Sequence, residues 1–374
     1  MTAYRIVRWG EPPQLAEVPV PDPGPGDVLV EVAGNGLCHS DVSMAHIPGE
    51  IAESLGWQLP FTLGHEVGGR IAALGPGVTG LAEGEAVALV SPTSCGACSA
   101  CRRGHDSACP HGLAGRGYGR DGGLARYVVA PAPRAVVKLG ALDPVVAGPL
   151  TDAGATSHHA VDRVVPRLPE GATAVVVGAG GLGAFAVQLL RALTPARVVA
   201  VDVNAARLAV ARDFGAHEVR EDVAAVGAAE VVLDFVGSDA TIAAGLAAVR
   251  PYGAFGLVGA NGGTFRRPWF GGLPRDADVF TFQGSSIADV HAVVALAEAG
   301  VIRSEVDRYP MSRVEDAYAA LEHGELRGRA VVTRQITGGV ANEQLRRPTA
   351  LALAKQDAKR DCGLGKGHLD GTHR

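Results

Sequence analysis

At 374 residues the chain exceeds one ordinary hydrophobic core, so two domains are expected. It is 47% hydrophobic and 20% charged with a formal net charge of -5, which gives no electrostatic reason to expect nucleic acid or an anionic membrane as partner. The segment from Met1 to Gly10 lacks an apolar signal-peptide core, and no stretch reaches the ~18 apolar residues of a membrane span. A cytoplasmic, reducing compartment is therefore expected, where six cysteines read as metal ligands or catalytic groups rather than disulfides.

The first 150 residues read as β-rich. Short runs such as Val28–Val32 and Val87–Val90 alternate with the clusters Pro21–Gly26 and Gly75–Gly80. From about Ala153 strands alternate with helices. Ala174–Val177 reads as a strand, Leu182–Leu193 as a helix, Val198–Val201 as a strand and Ala205–Phe214 as a helix. Val231–Val236, Ala240–Val249 and Ala254–Val258 continue the alternation as strand, helix and strand. Such spacing predicts a parallel sheet covered on both faces. A strand at Val279–Gln283, a helix at Ile287–Ala299, an amphipathic helix at Ser312–His323 and a last strand at Ala330–Thr333 follow. Gly338 to Arg374 is polar and glycine-interrupted, with a short helical stretch at Thr349–Lys359, and reads as a loosely ordered tail.

Gly178-Ala179-Gly180-Gly181-Leu182-Gly183 spells GxGxxG between the Ala174–Val177 strand and the following helix. In that context the glycines permit a tight turn, close approach to a pyrophosphate and close helix–strand packing. Asp202 ends the next strand about twenty residues on, where a carboxylate holds the adenosine ribose hydroxyls or, alternatively, merely caps a helix. The first role favours NAD over NADP; Arg207 nearby softens that preference.

Cys95, Cys98, Cys101 and Cys109 form C-x2-C-x2-C-x7-C. Four thiolates this close suit a closed, structural zinc, with an iron–sulfur cluster as the competing reading. Cys38 and His65 are dispersed, and each alone reads as a buried thiol or a satisfied core histidine; with Asp152 they make up the three mixed ligands that an open, catalytic zinc needs.

The run Gly64-His65-Glu66-x2-Gly69-x5-Gly75-x2-Val78 resembles the zinc alcohol dehydrogenase signature of the medium-chain dehydrogenase/reductase superfamily. Cys38-His39-Ser40-Asp41, the four-cysteine lobe and the glycine fingerprint occur in that family's order, and the resemblance spans residues 1 to 335. It implies an α/β chain: a β-rich GroES-like catalytic domain, residues 1–153 completed by 285–336, and a Rossmann doubly wound parallel sheet, 154–284, with 337–374 as tail. It also implies two zincs per chain, the catalytic one on Cys38, His65 and Asp152, and NAD. Many relatives carry cysteine at the third ligand position; Asp152 is a departure similar to some bacterial secondary-alcohol dehydrogenases.

By the same resemblance Glu66 lies behind the zinc, Asp41 orients His65, and His39 meets the pyrophosphate. Thr156 and Val258 contact the nicotinamide end. Ser40, extended by Ser43, relays the alcohol proton, and Trp57 in Ile51–Pro60 walls the substrate pocket or simply packs. The expected partners are small alcohols, aldehydes or ketones and a second copy of the chain, as homodimer or homotetramer, with Ala254–Val258 continuing a sheet across subunits. A zinc-free quinone or enoyl reductase and a non-enzymatic, zinc-stabilised NAD-sensing protein are the competing readings.

Overall fold

Valine-rich runs bounded by glycine and proline build two large sheets in the computed structural model, which describes Met1–Thr333. The first has seven strands, in the order Val136–Lys138, Ala86–Leu89, Glu66–Leu74, Asp27–Gly36, Arg329–Thr333 and Val306–Pro310, with Tyr127–Pro131 also paired to Asp27–Gly36. Its registers place Gly36 opposite both Glu66 and Val331. An acidic residue from one neighbouring strand and the Arg329 strand from the other are thereby brought to one end of the sheet.

The second sheet is wholly parallel, in the order Glu218–Arg220, Arg197–Val201, Thr173–Val177, Ala229–Asp234, Val249–Leu257 and Asp278–Thr281. Strand order reverses beside Thr173–Val177, the point at which doubly wound folds open a binding crevice. Val175, Val176, Val198, Val199, Val231 and Val232 are fully buried, as strands covered on both faces require. The expected alternation is present, with small boundary differences. The helices run Gly181–Leu193, Ala205–Asp213, Asp239–Ala248, Ile287–Glu298 and Val314–Glu322.

One expectation is overturned. Ala254–Val258 does not offer an edge to another subunit, because Val249–Leu257 pairs on one side with Ala229–Asp234 and on the other with Asp278–Thr281. On that side of the sheet the edge strand is Asp278–Thr281. The tail from 337, with its helical stretch, lies outside the described residues. Among those described, no helix is long and apolar enough to cross a membrane.

The helix Ala153–Asp162 was not legible in the sequence, since it is buried through Ala153, Gly154, Ala155, Thr156, Ser157, Ala160 and Val161 and so has no one-sided apolar stripe. Polar contacts fix it. Ser157 Oγ lies 2.8 Å from the carbonyl oxygens of Ala153 and Leu182. His158 and His159 place their Nδ1 atoms 2.6 and 2.8 Å from the two oxygens of Asp289, which also closes a capping box with Ser286 at the start of Ile287–Glu298. Burial pushes the Asp289 pKa up, but the hydrogen bonds from His158, His159 and Ser286 prevail and hold it well below the usual carboxylate range.

A carboxylate depressed in the folded state contributes stability that is complete above its unfolded pKa of about 3.9 and fades as pH falls through the folded value. Asp289→Asn is expected to lower the unfolding free energy by about 2–4 kcal/mol at pH 7. In urea unfolding the gap to wild type should narrow towards pH 3; an equal gap at both pH values contradicts the assignment.

Candidate active site

Cys38 sits at the start of the helix His39–Ala45, in extended backbone, and Asp41 at the third helical position accepts its N–H at 3.0 Å. His65 follows Gly64, whose φ of +97° turns the chain into the Glu66–Leu74 strand. Asp152 immediately precedes Ala153–Asp162 and accepts from Thr156 Oγ1 at 3.3 Å. Three separate elements thus converge. Donor atoms of Cys38, His65, Glu66 and Asp152 all lie within 4.8 Å of one another.

His65 is oriented through both ring nitrogens. Nδ1 lies 3.2 Å from Asp41 Oδ1, while Nε2 faces Asp152 Oδ2 at 3.6 Å and Ser40 Oγ at 3.5 Å. Burial opposes a charge on this imidazole, yet Asp41, Asp152 and Cys38 raise its pKa well above the ordinary value. Burial likewise opposes the charge on Asp152, but His65 outweighs it and holds the carboxyl near pKa 2. A half-buried thiol, a carboxylate and an imidazole around one point form a donor set that calls for a cation, and S, N and O ligands of this mixture fit zinc. Glu66 is fully buried and ion-paired with Arg329, so Cys38, His65 and Asp152 are the three that could hold a metal in an open site. Burial pushes the Glu66 pKa up to about 7 against the pull of Arg329.

The cysteine lobe has the other design. Sulfur–sulfur separations are 3.5 Å for Cys98–Cys101 and 3.9 Å for Cys95–Cys101 and Cys98–Cys109. A tetrahedron with Zn–S bonds of ~2.3 Å has edges of about 3.8 Å, so the four thiols already stand at the spacing of a closed zinc site. Asp106, between the third and fourth cysteines, accepts from Ser94 Oγ at 3.0 Å, Arg134 at 2.6 Å and the Ile287 backbone N–H at 3.1 Å. The lobe is thereby tied to the helix that carries Asp289.

The open donor set lines a cleft of about 1500 Å³ that also runs past Gly178–Gly183, Asp202 and Val258. Gly178 takes φ +85°, and a Cβ on Gly183 would stand 1.8 Å from the Gly178 carbonyl, so neither position admits a side chain. Asp202 Oδ2 accepts from the Ala179 N–H at 2.8 Å and Oδ1 from Asn204 N–H at 2.9 Å, so this carboxylate also braces the glycine turn. Arg207 lies 3.9 Å from Asp202 in the same cleft, together with His39, Ser40, Ser43 and Thr156. Ser43 Oγ donates to the His39 carbonyl at 3.3 Å.

Trp57 sits in the packed cluster with Tyr4 and Phe61. It is buried, packs edge-on against Phe61 and donates its indole N–H to the Leu113 carbonyl at 2.8 Å, and the lining of the cleft does not include it. Two residues escaped the sequence reading. Arg329 is a buried cation in an otherwise apolar strand, and its guanidinium lies between Glu66 and Gly181. Tyr318 donates to Asp41 Oδ2 at 3.1 Å across 277 residues of sequence. A lone charge in the run RAVVT was the only signal for the first, and nothing local marked the second.

An open S/N/O metal site on the wall of a dinucleotide crevice, beside a closed four-thiolate lobe, defines a zinc-binding dehydrogenase of two-sheet construction. Residues 24–141 match the alcohol dehydrogenase GroES-like domain and residues 214–332 the zinc-binding dehydrogenase domain. The NAD-dependent alcohol dehydrogenase of Sulfurisphaera tokodaii is 33% identical over 353 residues, which cover 87% of this chain and 96% of that protein. The alcohol dehydrogenase of Aeropyrum pernix superposes with a TM-score of 0.82 at 35% identity, covering 89% of this chain and all of that one. Acetophenone reductase of Geotrichum candidum, solved with NAD, gives 0.79 at 28% identity over 89% and 96%. The chain belongs to the zinc-dependent alcohol dehydrogenase family of the medium-chain dehydrogenase/reductase superfamily.

Metal analysis checks the two donor sets separately. Wild type should hold two zincs per chain, and Cys38→Ser should keep the thiolate-bound one alone. Two zincs retained by Cys38→Ser would remove Cys38 from the ligand set.

Proposed function

We propose that the protein is a zinc-dependent, NAD-linked alcohol dehydrogenase interconverting alcohols with aldehydes or ketones. The observation that carries this reading is that the open donor set and the nucleotide fingerprint share one cleft. Cys38, His65 and Asp152 would hold zinc, which supplies a Lewis acid to a substrate oxygen, and the fingerprint would hold NAD, which supplies the hydride acceptor. Asp202 would face the ribose and disfavour a 2′-phosphate; Arg207 and Arg329 bring positive charge to the cleft beside the helix start at Gly181, and His39 lines the same cleft. Ser40, exposed and 3.5 Å from His65 Nε2, is the hydroxyl placed to carry a proton from substrate to the cleft mouth. Glu66, neutralised by Arg329, backs the zinc ligands without joining them. The three-ligand set gives a zinc-free quinone or enoyl reductase no explanation, and the crevice gives none to a purely structural zinc protein.

The division into a catalytic part, 1–153 with 285–336, and a nucleotide part, 154–284, belongs to this same reading. So does assembly with a second copy. Asp278–Thr281 leaves an open edge, and Trp269 and Phe270, shortly before it in the chain, are 80% and 81% exposed, the kind of surface a partner covers. Gel filtration should give a dimer or tetramer, and a monomer alone rejects the assembly.

NADH formation across a panel of primary, secondary and aromatic alcohols tests the activity. At least one class should reduce NAD in wild type and none in Cys38→Ser; a wild-type protein silent on the whole panel counts against the reaction class. Asp202→Ala should lower the kcat/KM preference for NAD over NADP by about tenfold or more, as expected for one lost charged contact. An unaltered ratio removes Asp202 from coenzyme selection.

A further inference from the structure

Asp41 connects both early zinc-site residues, and its geometry depends on a residue far along the chain. Oδ2 accepts from the Cys38 backbone N–H at 3.0 Å and from the Tyr318 hydroxyl at 3.1 Å, which leaves Oδ1 to face His65 Nδ1 at 3.2 Å. All of this is buried: Asp41 is 1% exposed, His65 7% and Tyr318 8%. A carboxylate turns easily about its last torsion, whose wells are broad and two-fold. With only one donor on Oδ2 the group is free to rotate, and Oδ1 then loses its fixed direction towards the imidazole. The Tyr318 ring is itself held: it stacks on Tyr4 with centroids 5.8 Å apart at 25°, within the cluster formed by Leu37, Val314, Leu321 and Ala330.

We propose that Tyr318 is a positioning residue for the mixed zinc site, its hydroxyl locking Asp41 in the orientation that aims His65 Nε2 at the metal. The effect is transmitted by direction: a ring fixed at Nδ1 presents Nε2 to Cys38 and Asp152, and a loosened ring presents it for part of the time only. Burial, then the Asp41 carboxylate, push the Tyr318 pKa well above the usual phenol value, so the hydroxyl keeps its proton and remains a donor. The helix Val314–Glu322 that carries Tyr318 also places Leu321 and Glu322 on the cleft wall, so one element reaches both the metal surroundings and the nucleotide crevice.

The inference rests on the zinc reading of Cys38, His65 and Asp152, and the two fail in different ways. A wild-type chain holding one zinc defeats that reading; two zincs with an indifferent Tyr318 defeat the inference alone. The test is zinc release from the purified holoprotein to a chromogenic chelator, with the four-thiolate site as internal control. Tyr318→Phe keeps the ring and its stack and removes only the hydroxyl. It should release the mixed-site zinc about 10–100-fold faster, the usual scale for an outer-shell partner, while the thiolate-bound zinc leaves at the wild-type rate. Asp41→Asn should accelerate the same phase, and the double variant should be no faster than Asp41→Asn, because both changes break one chain of contacts. Wild-type release from Tyr318→Phe overturns the proposal. So do equal acceleration of both zincs with a lowered Tm, the pattern of a purely packing residue, and additive effects in the double variant.

Discussion

The constraint on which the site depends is charge balance in a buried space. Asp41 and Glu66 are almost wholly removed from water, Asp152 is half-buried, and Cys38 adds a thiol; among the described residues Arg329 and the His65 ring answer them with positive charge. Burying unpaired carboxylates costs several kcal/mol each. In this arrangement Arg329 answers Glu66, Tyr318 and the Cys38 N–H bond Asp41 beside the His65 ring, and a metal cation would answer the remaining donors. Arg329 and Tyr318 reach these carboxylates from 263 and 277 residues away, so the site forms only where distant parts of the chain meet.

The same economy of contacts links the two metal lobes. Asp106 joins the cysteine loop to the helix Ile287–Glu298, Asp289 joins that helix to His158 and His159, and their helix begins at Asp152. Part-buried hydrogen bonds and the two helices they join thus connect the closed thiolate lobe with the open donor set. Stability of one is accordingly expected to matter to the placement of the other, through packing rather than through chemistry.

Much of this was legible in the sequence where residue type alone forces geometry. Gly178 and Gly183 occupy positions closed to any side chain, the four cysteines stand at tetrahedral spacing, and the strand–helix alternation after Ala153 needs no partner to be recognised. What escaped was long-range. The Ala153–Asp162 helix is buried on most faces, so its periodicity is hidden. Arg329 and Tyr318 acquire their roles only from partners 263 and 277 residues away. Trp57 reads in the sequence as pocket wall or packing, and its indole N–H bond to the Leu113 carbonyl comes from a partner 56 residues away. The sheet edge moved from Ala254–Val258 to Asp278–Thr281 because a further strand pairs beyond the expected border.

The central claim is that one chain builds two zinc sites of opposite design, one closed by sulfur and one open to substrate. Zinc-edge X-ray absorption on the two-zinc holoprotein tests it most directly. Five cysteine sulfurs over two metals should give an average of 2.5 sulfurs per zinc, with the remaining shell at the ~2.0–2.1 Å of nitrogen and oxygen. Adding NAD and an alcohol that turns over should change only the nitrogen and oxygen shell. An average of two sulfurs per zinc, or a sulfur shell that changes when substrate is added, would contradict the account.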